Sequence, residues 1–166
     1  MRRIIKISAL VAVLAAVLCS CTKEGTGRFK GNYSFKTSGS ISVREKDNPS
    51  ADVIRLNLSD ESGQMDILET DRTDGKMMVT MNVLSGPVLV FDAEADGGTL
   101  KLLPKSRILT VRHGVEQLSV EVTVEGIGSR YDNSVIFNMN YSGSYIRSDV
   151  GYEIIESDVQ CVAKMN

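Results

Sequence analysis

The stretch Leu118-Ser119-Val120-Glu121-Val122-Thr123-Val124-Glu125 decides the fold. Apolar side chains fall on every second residue with polar ones between, the period of a strand with one dry and one wet face. The alternation continues outward in both directions. Towards the C-terminus, Val135, Phe137, Met139 and Tyr141 interleave with Asn138 and Asn140, and Val159, Cys161 and Ala163 with Gln160. Towards the N-terminus, Tyr33, Phe35 and Thr37 share one face, Ile41 and Val43 follow a Ser38-Gly39-Ser40 turn, and Ile54, Leu56 and Leu58 repeat the pattern. Met65 and Ile67, Leu100 and Leu102, and Leu109 and Val111 add shorter runs. Turn residues fall between these runs at Asn48-Pro49, Ser62-Gly63, Asp74-Gly75, Asp96-Gly97-Gly98, Gly126-Ile127-Gly128, Asp132-Asn133 and Ser142-Gly143. The pattern predicts an all-β domain of about ten strands with short connections. Such a meander leaves exposed edges unless it closes, so a single antiparallel up-and-down β-barrel is expected, with a two-sheet β-sandwich as the alternative.

The first residues follow a different logic. Arg2, Arg3 and Lys6 precede an almost unbroken apolar run from Ile7 to Leu18. That run is shorter than the roughly 20 residues needed to span a bilayer, and it reads as an export signal. It ends Leu18-Cys19-Ser20-Cys21, which resembles a bacterial lipobox: aliphatic, then a small residue directly before the cysteine. The resemblance implies cleavage after residue 20, diacylglycerol on the Cys21 thiol and acylation of the new amine. Each buried CH₂ contributes roughly 0.8 kcal/mol, so several chains hold a protein on a membrane that one chain binds only reversibly. Residues 1–20 are thus expected to be signal, 21–28 a lipid anchor with a short polar tether, and 29–166 the β domain. No aspartate follows the cysteine, where Thr22 stands, so the outer membrane of the cell envelope is the expected location, on its periplasmic face or at the cell surface.

Composition narrows the function. The 166 residues are 42% hydrophobic and 24% charged with a net charge of −2, ordinary for one domain. Losing Arg2, Arg3 and Lys6 takes the charge to −5, which gives nucleic acid nothing to bind. With Cys21 acylated, Cys161 is left as a single thiol, and no disulfide framework is expected.

A lipobox, then Gly31-Asn32-Tyr33, then an uninterrupted β meander resembles the calycin-like (lipocalin-like) barrel lipoproteins of Bacteroidetes. The segments Val120–Gly126 and Val135–Gly143 share that character, and Tyr33 stands where lipocalins carry a tryptophan. The resemblance covers most of the mature chain and implies a barrel that binds a small apolar or amphipathic ligand.

Chemistry-bearing motifs are few. Asp92, Glu94 and Asp96 before Gly97 mimic the opening of a calcium loop, but Leu103 occupies the position of its bidentate glutamate; the alternating acids read as a strand's wet face. His113, the one histidine, is read as a surface residue, and neither a Gly-x-Ser-x-Gly elbow nor a basic setting for Cys161 accompanies it. No enzyme, metal or cofactor is expected. The most apolar hairpin pairs Met77, Val79 and Met81 with Val88 and Val90, which together would form a soft wall for an apolar ligand or simply core. Tyr131, Tyr141, Tyr145 and Tyr152 crowd the last third, and exposed there they would contact protein or glycan. The expectation is a non-enzymatic envelope module for a small ligand, with recognition through surface aromatic residues as the alternative.

Overall fold

The computed structural model describes residues 25–166; the expected signal segment and the expected lipidation site Cys21 lie outside the described residues. The all-β expectation is met. A one-turn helix α1 (Thr26–Phe29) precedes nine strands: β1 (Gly31–Glu45), β2 (Ile54–Asn57), β3 (Glu61–Asp71), β4 (Lys76–Val83), β5 (Val88–Asp96), β6 (Thr99–His113), β7 (Glu116–Tyr131), β8 (Ser134–Arg147) and β9 (Val150–Met165). They form one antiparallel sheet that closes in a ring, because β1 pairs with β9 from Tyr33↔Met165 to Glu45↔Tyr152. Closure removes the edges that the meander would otherwise expose.

The period-two reading holds inside nearly every strand. In β5, Leu89, Phe91, Ala93 and Ala95 point inward and Asp92, Glu94 and Asp96 outward. Tyr33, Phe91, Phe137, Met65, Ile67 and Leu102 are fully buried members of a single core cluster. The outer face carries Glu94, Lys101, Glu121, Asn138, Asn140, Gln160 and Lys164, unlike the apolar belt of a membrane-embedded barrel.

Several expected turns are strand interior. Ser38-Gly39-Ser40 lies within a continuous β1, which merges two expected strands and brings the count to nine. Gly39 takes φ +145°, and a Cβ there would sit 2.2 Å from the Asp158 carbonyl of β9. Glycine here lets β1 bend against its neighbour instead of reversing. Ser62-Gly63, Gly126-Ile127-Gly128 and Ser142-Gly143 also run through their strands. At Gly126 and Gly128 the missing side chains make room for Met139 and the Phe137 ring on β8.

Packing begins earlier than the tether reading allowed. Thr26 and Phe29 of α1 are buried, so the helix belongs to the domain. It covers one end of the ring: the Tyr33 hydroxyl donates to the Phe29 carbonyl at 2.6 Å, and Arg130 donates to the Tyr33 oxygen at 3.2 Å and to the Arg28 carbonyl.

Cys161 is fully buried, and desolvation pushes its thiol up to about 11. Native protein should therefore resist alkylation at neutral pH, while protein unfolded in guanidinium reacts within minutes; rapid native labelling would contradict this packing.

Candidate functional site

The five residues expected to share a ligand wall do not share one. Met77, Val79 and Met81 point inward and are buried with the core. Val88 and Val90 point outward, 58% and 39% exposed, and it is Leu89 and Phe91 that face the interior. The run Val88-Leu89-Val90-Phe91 has no polar alternation, so its own residues do not fix its phase. The signal lay downstream, where Asp92, Glu94 and Asp96 set the even positions outward.

Nor do the tyrosines form an exposed surface. Tyr131 is exposed by itself, and Tyr141 is buried. Tyr145 and Tyr152 stack with ring centroids 5.4 Å apart, and His113 meets Tyr152 edge-on at 5.1 Å. His113 is only 5% exposed, which corrects the surface reading. It continues the inward phase of Leu109 and Val111, as the strand period requires. Burial pushes the Tyr145 hydroxyl up to about 12, and this hydroxyl shares a hydrogen bond of 3.1 Å with the His113 Nδ1, the imidazole tautomer setting which of the two donates. Burial, then the Arg147 cation, lower the imidazole below its usual value, opposed by Glu116. The unfolded chain therefore binds the proton more readily. This group's contribution to stability is complete above about pH 6.5 and declines as pH falls through the depressed native value. Thermal melts from pH 7.5 to 5.5 should show a loss in wild type that His113→Gln removes; parallel profiles would refute the assignment.

The geometry worth most lies where the ring changes partners. The first half of β1 pairs with β3 (Gly31–Thr37) and the second with β2 (Ser40–Val43). On the facing wall, β5 pairs with β6 only from Ala93↔Leu102 to Asp96↔Thr99. Pro104 lacks an N–H, and the β6–β7 register shifts between Leu102 and Lys105. Beyond that break, β6 leaves β5 and meets the β2 side at a Leu58↔Val111 bridge. An open wedge remains, widening away from α1.

A cleft of about 330 Å³ occupies the top of this wedge, between Ser59–Ser62, the β4–β5 turn (Val83–Pro87) and Arg107–Thr110. Across it Arg107 grips Glu61 with two hydrogen bonds, Nη1 to Oε2 at 3.1 Å and Nη2 to Oε1 at 2.5 Å. The Arg107 side chain is 8% exposed and that of Glu61 22%. Behind them lies Tyr141, whose hydroxyl burial pushes up to about 12 despite the Arg107 cation. The Arg107 Nε has no hydrogen-bond partner among the described residues. Around this charged floor, Leu84 and Ile108 are 79% and 67% exposed. Arg107 too follows from phase, sharing the inward positions of Leu109 and Val111, although no motif marks it.

Among the described residues no group of three or more His, Cys, Asp or Glu is placed to hold a metal ion. No family model matches this chain, and neither the curated proteins nor the solved structures contain a significant match.

Proposed function

We propose that this chain is a lipid-anchored cell-envelope binding module with a calycin-like barrel, non-enzymatic, which takes an amphipathic ligand in the outer cleft beside Arg107. The observation that carries the reading is the contrast between the two faces. The inward positions hold bulky packed side chains such as Tyr33, Met65, Phe91 and Phe137. The cleft instead joins a charged floor to exposed Leu84 and Ile108, the mixture that orients an amphipathic molecule. Ring closure and the helix-covered end support the barrel; the lipobox-like Leu18–Cys21 supports the anchor.

The anchor also orients the domain. Cys21 to Gly25 reaches at most about 15 Å, so the α1 end lies near the lipid and the wedge opens away from it. Cys21→Ser should abolish acyl labelling and move the protein from the membrane to the soluble fraction; continued membrane retention would refute the anchor. Native mass spectrometry tests the cleft. A ligand retained by wild type and lost in Ile108→Glu places binding outside, whereas loss in Met81→Ala with Ile108→Glu unaffected would move it to the interior.

A further inference from the structure

Resting on the reading of the cleft as a binding site, we infer that its ligand is an extended polypeptide segment, bound by strand addition in the wedge between β5 and β6. Two strand edges face this wedge without ladder partners among the described residues. On β5, Val88–Asp92 pair with β4 on one side, and pairing with β6 begins only at Ala93. On β6, Lys105–Thr110 pair with β7 on one side only. Rows of backbone N–H and C=O groups at strand spacing are complementary to another extended backbone, and to little else.

The side chains agree. Val88, Val90 and Ile108 project from these edges on the outer face, with Leu84 at the turn beside them. A segment lying along β5 would set every second side chain against this aliphatic set and turn the others to solvent. At the top of the wedge, the paired Arg107 and Glu61 form the polar floor over which a peptide group would pass. A flexible segment of about five residues can enter between these two edges, which are backed by β4 and β7 and face each other across the wedge.

The test uses the mature acylated chain in detergent micelles and a displayed library of random seven-residue peptides. Selected peptides are expected to alternate apolar and polar residues and to slow amide exchange at Val88–Asp92 and Lys105–Thr110. Val88→Lys with Val90→Lys should weaken them about tenfold or more, and Ile127→Lys, on the outer face of β7, should not. N-methylation of alternate peptide nitrogens should abolish binding, because it removes the donors that a ladder needs. Failure to enrich any peptide, or binding that survives methylation, overturns the inference. Protection confined to another surface also overturns it, yet leaves the broader recognition reading standing.

Discussion

Gly39→Ala is expected to destabilise the domain by about 3 kcal/mol, lowering the thermal midpoint by roughly 10 °C. Two costs add at this position. The φ of +145° is one that residues with a Cβ rarely adopt, and the new methyl would lie 2.2 Å from the Asp158 carbonyl and 2.7 Å from the Val159 Cα. Both obstacles are backbone atoms of β9, so no side-chain rotation relieves them. The affected pairing, β1 with β9, is the one that closes the ring. Gly98→Ala is the control, since a Cβ there meets nothing within 4 Å. Denaturant unfolding of the two variants should differ by most of the predicted amount. Equal stabilities would mean that β1 is not held against β9 as described.

Arg107→Met should cost a similar amount, about 3 kcal/mol, because it leaves the Glu61 carboxylate part-buried beside Tyr141 without its cation. The pair itself contributes less than that figure suggests, since both ions are desolvated to form it. Adding Glu61→Leu to Arg107→Met should therefore recover much of the loss. A double variant no more stable than the single would show that the guanidinium acts through packing of its stem, not through its charge. Binding at the cleft should be lost in both variants, because neither retains the Arg107–Glu61 pair.

Much of this architecture was legible in period two. Leu118–Glu125 and Val135–Tyr141 alternate so regularly that their inward faces need no tertiary information. Extending the same phase would also have turned Arg107 and His113 inward, against the usual habits of charged and imidazole side chains. The tether was read too long because Thr26-Gly27-Arg28 is polar and glycine-containing, whereas its neighbour Phe29 supplies the apolar contact that docks the helix. Glycine misled most. Gly39, Gly63, Gly126 and Gly128 look like turn residues locally, yet each sits where a neighbouring strand or side chain approaches too closely for a Cβ.

The sequence by itself determined the strand content and the alternation of faces, because each depends on residues within a few positions of one another. Tertiary structure decided which edges found partners. That Pro104 would release β6 from β5, that Leu58 would meet Val111, and that Glu61 would pair with Arg107 all depend on register around a closed ring. Register is a property of the whole circuit: every strand must satisfy two neighbours at once, and between β5 and β6 the ladder stops short and leaves the wedge.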